Sequence, residues 1–336
     1  MKKNRDWGCP LRCRTLAFGA VLGSLAALSC EQASSQEGGT TENVTSVEEE
    51  LRGGTVVTGT VGVVDYVTPV GNCTGSMIAP NVVLTAAHCF DDLGAVTQQS
   101  GSTMFTINYY DPRVGRRPVF SGTATWARYP AYDGWDQPSG AGGANDDMAI
   151  IKIGGTFTDT NYHDYLRIYS DFGSYLDTNL TAYGAGRFSY SGNLDDNLRT
   201  TWFEVENVAE GHIAVDTRDL VSTCKGDSGG PLEYLVSSAG QTLPTIAGVL
   251  SKGDIDPEDE GSICTNNDPP NDNAYYCRTI ANKLSWVESE TGVACRLQSG
   301  GNRGYRRCFD IPLVEDVAGE GYGLGQGVAL AMVTLF

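Results

Sequence analysis

The sequence CKGDSGGP at residues 224–231 contains the residue types that nucleophilic chemistry needs. Glycines surround Ser228, and glycine is selected where the backbone approaches another group closely or takes a positive φ. A serine hydroxyl becomes a good nucleophile only when a base takes its proton and N–H donors hold the developing oxyanion. The segment therefore predicts a displayed nucleophile, although a glycine-rich surface turn would also explain these residues alone.

A candidate general base ends the sequence LTAAHC at residues 84–89, which follows a strand-like run. Small alanines before His88 leave room beside its ring, and Cys73 and Cys89 bracket the segment. Outside the cytoplasm a disulfide between these cysteines could staple two strands together. A lone histidine is more often structural than catalytic, so His88 needs partners elsewhere in the chain.

A candidate acid precedes the apolar run MAII at residues 148–151. Asp146 and Asp147 stand at the head of this run, where a buried carboxylate would need a cationic or hydrogen-bonding partner. Aspartate also favours turns, so these residues alone would be interpreted as part of a loop.

The sequence around these residues is typical of a protein built mainly from strands. Forty-two glycines and sixteen tyrosines, with abundant Thr and Val, favour short strands and turns. Short β-branched and aromatic runs, separated by Gly, Pro, Asn and Asp, predict an all-β barrel or sandwich. These runs occupy residues 55–67, 82–87, 104–110, 148–153, 180–183, 200–208 and 245–250. Only residues 279–290 have apolar spacing suited to a helix, with Ile280, Leu284 and Val287 on one face.

The first thirty residues have the pattern of an export signal. A basic stretch precedes an apolar run at residues 16–28 that is too short to span a bilayer, and small residues lead to Cys30. This resembles a bacterial lipoprotein signal in which Cys30 is lipidated; an ordinary signal peptide cut near Cys30 is the alternative. Residues 31–50 are almost free of apolar side chains, which predicts a flexible tether or propeptide.

The net charge of −18 argues against nucleic acid and anionic membrane surfaces as partners. We therefore expect membrane contact only through a lipid anchor on Cys30. The expected product is a monomeric protein, either an outer-membrane or cell-surface lipoprotein or a secreted one.

Together the motifs resemble the trypsin/chymotrypsin-like serine proteases over residues 51–294. The most specific parts are TAAHC at residues 85–89 and GDSGGP at residues 226–231, in the family's order of His, Asp, Ser. The family's DIALL-type element appears as DMAII, which favours Asp147 over Asp146. The resemblance implies an all-β fold of two six-stranded antiparallel β-barrels with a C-terminal helix, and a catalytic cleft between the barrels.

The resemblance also implies a serine endopeptidase that acts on protein or peptide substrates and needs no cofactor. His88 would take the proton of Ser228 as the hydroxyl attacks a carbonyl, and Asp147 would orient the ring. The backbone N–H groups of Gly226 and Ser228 would hold the oxyanion. Ser251 would hydrogen-bond the buried Asp147.

In the family, a newly cleaved N-terminus inserts its ammonium group beside the aspartate that precedes the nucleophile, here Asp227. The best match to the family's IVGG is LRGG, which begins at Leu51 and places the cut after Glu50. Arg52 replaces a small aliphatic residue, and a cut after Arg52 would instead leave a glycine N-terminus. The segment could also be a linker without processing.

Substrate preference depends, by resemblance, on the residue six positions before the nucleophile, which is Ser222. Trypsin-like enzymes have an aspartate there, so Ser222 favours a chymotrypsin-like or elastase-like pocket over a preference for Arg or Lys. Ser251 and Gly253 complete the expected pocket, and Gly253 keeps one wall open. Lys225 or Lys252 could recognise an acidic substrate side chain, although long basic side chains commonly point to solvent.

Seven cysteines follow Cys30, an odd number that implies a free thiol or an intermolecular bond. The expected disulfides, the second of them by resemblance, are Cys73–Cys89, Cys224–Cys264 and Cys295–Cys308. Cys277 is then left over, whereas a Cys224–Cys277 bond would leave Cys264 instead. The chain contains no CxxC pair, so we expect no metal site at these cysteines. The acidic residues 254–260 could form a calcium site or a solvated loop.

Other classes of function stay open from the sequence. A protease-like fold can serve as a catalytically silent binding protein, although such relatives usually lose a triad residue and this chain has all three. A surface lipoprotein would explain the signal and the acidity but not the His, Asp and Ser motifs. An esterase would use the same acyl chemistry. The extension 295–336 lies beyond the family domain and could add a strand, pack on the barrel or stay mobile.

Overall fold

The structure is a computed structural model. It describes residues 51, 54–58, 61–95, 97–111, 113–134, 142–158, 160, 165–169, 178–186, 197–209, 211–217, 223–238, 241–253, 273–298 and 305–308. The predictions for the export signal with Cys30, the tether 31–50, Ser222, Cys264, the acidic residues 254–260 and the tail after residue 308 lie outside the described residues.

The described part of the chain is built mainly from strands. In chain order they are β1 (Thr55–Val56), β2 (Val63–Thr68), β3 (Gly71–Ala79), β4 (Val82–Thr85), β5 (Ser100–Asp111), β6 (Gly115–Arg128), β7 (Ala149–Lys152), β8 (Arg167–Ile168), β9 (Asn179–Gly184), β10 (Arg199–Val208), β11 (His212–Asp216), β12 (Pro231–Ser238), β13 (Gln241–Gly253), β14 (Asn273–Arg278), β15 (Arg296–Gln298) and β16 (Tyr305–Arg307). Short 3₁₀ helices span His88–Leu93 and Gly142–Asn145, and one α-helix, α1, spans Ala281–Thr291.

The first barrel closes in the order β2-β3-β4-β7-β6-β5, with every neighbouring pair antiparallel. Its interior is aromatic beneath the 3₁₀ helix that follows β4. The Phe90 ring, on that helix, stacks on Trp126 with centroids 5.1 Å apart, and it packs against Tyr66 and Phe105. Burying such rings stabilises the barrel and fixes the helix that begins at His88.

The second barrel uses β9 to β14. The strands run in the order β12-β9-β10-β11-β14-β13, and pairing of β12 with β13 closes the ring. All six pairings are antiparallel. The expected fold of two six-stranded antiparallel β-barrels is therefore confirmed.

The predicted helix at residues 279–290 forms as α1, which starts two residues later. Ile280 keeps an extended backbone with ψ 165° and precedes the first turn, and Gly292 ends the helix at φ 70°. Leu284 and Val287 are buried as predicted. The ring of Trp286 meets Tyr129 edge-on at 5.5 Å, so the helix packs against the strand ends of the first barrel.

The first part of the C-terminal extension joins the second sheet. Cys295 is bonded to Cys308, and β15 pairs with β16, which pairs with β8. Of the alternatives for the extension, added strands therefore hold for residues 296–298 and 305–307. Within the ranges that the structure describes, none of the helices has the length and apolar character needed to cross a membrane.

Candidate active site

The three candidate residues meet at the junction of the barrels. His88 begins the 3₁₀ helix after β4, and Asp147 lies just before β7, so the first barrel supplies both. Ser228 lies in the turn before β12 of the second barrel. His88 and Ser228 line one open cleft of about 660 Å³. The chain fold thus brings together residues that are 59 to 140 positions apart.

The His88 ring is coupled directly to Asp147. Nδ1 of His88 lies 2.7 Å from Oδ2 of Asp147, and the His88 backbone N–H donates to Oδ1 at 2.9 Å. Ser251 Oγ donates to Oδ2 at 2.5 Å. The fully buried carboxylate therefore has three donors, which compensate for its removal from water.

These contacts set the charge states of the pair. Burial alone would raise the pKa of Asp147, but the charge and hydrogen bonds of His88 and the hydroxyl of Ser251 bring the net pKa below its usual value. Burial would lower the pKa of His88, but the Asp147 carboxylate outweighs it and the net pKa lies above the ordinary value. A histidine in this setting can accept a proton and hold it beside an anion.

The turn that carries Ser228 is fastened to the first barrel. Gly229 lies at φ +84°, where a Cβ would collide with the Thr85 hydroxyl and the Thr74 carbonyl. The Thr74 backbone N–H donates to Ser228 O at 2.8 Å, and the Thr74 hydroxyl donates to Gly226 O at 2.7 Å. The glycine is therefore required by close approach, and the fixed turn displays Ser228.

The expected oxyanion donors belong to the same turn. Gly226 lies at φ +102°, a region that favours glycine. The N–H groups of Gly226 and Ser228 donate no hydrogen bond to any residue in the described part of the chain. Both residues line the cleft, and the role of their N–H groups as oxyanion donors stays a prediction.

Asp227 is fully buried within the same turn. Its carboxylate accepts the N–H of Gly186 at 2.8 Å and of Cys224 at 2.7 Å. Burial raises its pKa to about 6 despite these two donors. No cation among the described residues lies within ion-pair distance. Leu51, the other candidate in activation, is buried at φ +31°, where L-residues seldom lie.

Charged residues of both signs line the cleft. They are Asp91 and Asp92, on the 3₁₀ helix that begins at His88, and Lys225 and Lys252. Ser251 and Gly253 also line the cleft, and their role in a specificity pocket stays a prediction. Ser222, the predicted floor, lies outside the described residues and stays a prediction.

The cysteine predictions separate into three outcomes. The bonds Cys73–Cys89 and Cys295–Cys308 are both formed. Cys277 is a buried free thiol, so the alternative Cys224–Cys277 bond is wrong. Cys224 is disulfide-bonded, and its pairing with Cys264 stays a prediction because Cys264 lies outside the described residues.

One trio of possible metal ligands includes His88. Sγ of Cys73, Sγ of Cys89 and a ring nitrogen of His88 lie within 4.8 Å of one another. Because the two sulfur atoms are bonded to each other, they are not thiolate ligands, and this trio offers only the histidine.

Several contributing residues have no motif in the sequence. Thr74 connects the Ser228 turn to β3, as described above. Asp91 accepts the Tyr132 hydroxyl at 2.7 Å and lies 3.1 Å from Nη2 of the buried Arg128, and its charge also raises the pKa of His88. The position of Asp91, three residues after His88, could have indicated from the sequence that its carboxylate lies near the ring. The contacts of Thr74 and Arg128 join distant segments, so no local pattern in the sequence indicates them.

The two closed antiparallel barrels, with a histidine from the first and a serine from the second lining one cleft, define the class of chymotrypsin-like proteins. A sequence model of the family described as Trypsin matches residues 58–267, more than half of the chain. The chain therefore belongs to the trypsin family.

Individual relatives are distant. Serine protease 1 and Serine protease 2 of Drosophila melanogaster are each 25% identical over 240 residues, which cover 66% of this chain and 76% of theirs. Brachyurin of Leptuca pugilator is 28% identical over 182 residues, covering 48% of this chain and 70% of its own.

Proposed function

We propose that this protein is a serine endopeptidase that hydrolyses peptide bonds through His88, Asp147 and Ser228. The observation that carries the proposal is the 2.7 Å contact between His88 Nδ1 and Asp147 Oδ2, with Ser228 in the same cleft. The substrates are proteins or peptides, in keeping with membership of the trypsin family.

The proposed reaction follows from these positions. Nε2 of His88 takes the proton as Ser228 Oγ attacks the scissile carbonyl, and the N–H groups of Gly226 and Ser228 stabilise the oxyanion. Asp147 holds Nδ1–H and stabilises the imidazolium. The proton then passes from His88 to the leaving amine, and water releases the acyl group from Ser228 by the same route.

The proposal extends to export and specificity. The basic and apolar pattern of residues 1–30 supports an exported protein, either anchored through Cys30 or secreted. The neutral Ser222 supports cleavage after residues other than Arg and Lys. Residues 51–294 form the proposed peptidase domain, which acts as a monomer without a cofactor.

The direct test is the substitution Ser228→Ala. We expect it to abolish hydrolysis of casein and of a peptide library by the mature chain, because His88 then has no Ser228 hydroxyl to activate. Ser102→Ala, at an exposed position of β5, is the matched control and should keep the wild-type rate. Equal hydrolysis by the Ser228→Ala chain would contradict the proposal, and hydrolysis of esters but not peptides by the wild type would assign an esterase.

A further inference from the structure

Lys283 is a buried cation that the proposed reaction does not use. Its side chain on α1 is only 1% exposed. Burying an ammonium group is costly unless polar groups surround it. The one carboxylate within 4.0 Å among the described residues belongs to Asp146, which is itself 40% exposed. This ion pair alone therefore does not explain why a lysine is buried here.

Backbone carbonyls and a thiol surround the ammonium group. It donates to the carbonyl of Asn145 in its shortest contact, and to those of Arg278 at 3.3 Å and Gly211 at 3.4 Å. Sγ of Cys277 lies 3.2 Å away, and the ring of Tyr129 contributes a cation–π contact at 5.8 Å. Lys283 therefore joins segments of both barrels at a single point.

Asn145 is the residue most tightly held by this cluster. Its carbonyl also accepts the Cys277 thiol at 3.4 Å, and its side-chain Oδ1 lies 2.8 Å from Nδ1 of His212. Burial and the charges of Lys283 and Lys252 lower the pKa of His212, which favours the neutral ring, and the tautomer with a proton on Nδ1 can donate to Asn145. A Cβ at Gly211 would lie 2.7 Å from Asn145, so close packing extends to the backbone.

Asn145, Asp146 and Asp147 form a short segment that we call the aspartate strap. Its first residue is held by Lys283 and His212, which belong to α1 and β11. Its last residue accepts hydrogen bonds from His88 and from Ser251 of β13. Because only one residue separates the two anchored ends, fixing the Asn145 carbonyl restricts where the Asp147 carboxylate can point.

We propose that Lys283 is a positioning residue: it fixes the Asn145 carbonyl, and through the aspartate strap it holds the Asp147 carboxylate in line with His88. The inference rests on the proposed peptidase function. Small displacements of catalytic groups reduce the rate strongly even when their cause lies outside the reacting atoms.

The test compares Lys283→Met with Lys152→Met. Lys152 is a matched control because its ammonium group also donates to a carbonyl of α1, that of Thr291 at 2.8 Å, without touching the strap. In Lys283→Met we expect kcat to fall about 10- to 100-fold, with KM within about twofold because the cleft walls are unchanged. The acid limb of the kcat/KM profile should move to lower pH as Asp147 turns away from His88. Asp91, the other carboxylate that acts on His88, is unchanged.

His212→Phe is the second variant and keeps the ring that packs against Tyr275. It removes only the bond to Asn145, so we expect a smaller shift of kcat and of the acid limb in the same direction; if Lys283→Met does not fold, this variant decides. Wild-type kcat and pH profiles in the folded variants would overturn the inference, even if their thermal stability fell. A wild-type chain without peptide hydrolysis would overturn the proposed function together with it.

Discussion

At the scale of single residues, the site depends on how a buried carboxylate is kept charged. Asp147 is removed from water but receives donors from the His88 backbone, the His88 ring and Ser251. Its charge then favours the protonated form of His88. The arrangement that would stabilise an imidazolium in the proposed reaction would therefore also set the pH range of activity.

The pH dependence follows with a definite sign. A general base acts only when neutral, and the net pKa of His88 is raised above its ordinary value of 6.5. We therefore expect kcat/KM to fall on the acid side with its half-point above pH 6.5. A pH profile of peptide hydrolysis measures this directly, and an acid limb below pH 6.5 would contradict the coupling of His88 to Asp147.

The sequence predicted the residues of the site better than their supports. His88, Asp147 and Ser228 stand in short local motifs, so a few neighbouring residues were enough to propose them. Lys283 and Asn145 are 138 positions apart, and neither stands in a motif. A contact of that kind depends on how two barrels pack, and no periodicity along the chain reports it.

At the scale of elements, the disulfide Cys73–Cys89 ties β3 to the 3₁₀ helix that begins with His88. It closes a loop with a sequence separation of 16, for which loop entropy predicts about 3 kcal/mol of stabilisation. The bond also restrains the residue next to the proposed base. Its loss should therefore affect catalysis as well as stability.

The comparison is between two double variants. Cys73→Ala with Cys89→Ala should lower the free energy of unfolding by about 3 kcal/mol and reduce kcat. Cys295→Ala with Cys308→Ala opens a loop of similar separation, 13, away from the cleft, so it should cost comparable stability but leave kcat unchanged. Urea unfolding and peptide kinetics measure both; equal kcat values would show that the first bond does not restrain His88.

Strands were predictable where their pattern was regular. The runs at residues 82–87, 148–153 and 180–183 correspond to β4, β7 and β9. The predictions missed β6, which contains two glycines and in which Pro118 faces Asn108 beside a register shift. Bulges and glycines interrupt the two-residue period, so pairing with neighbouring strands, and not local pattern, defines this element.

At the scale of the whole molecule, activation is the proposed link between export and catalysis. A buried Asp227 with a pKa of about 6 is charged at neutral pH at a cost of about 3 kcal/mol. Below about pH 4 the carboxyl is protonated in the folded and the unfolded chain, and the folded state does not bear this cost. As the pH rises from about 4 to about 6, the free energy of unfolding of the uncut chain therefore falls by about 3 kcal/mol. An ammonium group placed beside Asp227 would offset the cost.

We therefore expect the active enzyme to begin at Leu51, with its new ammonium group beside Asp227. N-terminal sequencing of the active fraction checks the position of the cut. Asp227→Asn should still be cut but gain little activity from cutting, because the ammonium group loses its anionic partner. Full activity in an uncut chain would contradict activation by cleavage after Glu50, while leaving the proposed reaction itself unaffected.

The central claim is that the hydroxyl of Ser228 is activated by His88. The most direct measurement is covalent labelling of the mature chain by a fluorophosphonate, with the modified residue located by peptide mass spectrometry. We expect one adduct, on Ser228 Oγ, that disappears in Ser228→Ala and forms far more slowly in His88→Ala. An adduct on another residue, or undiminished labelling of the Ser228→Ala chain, would contradict it.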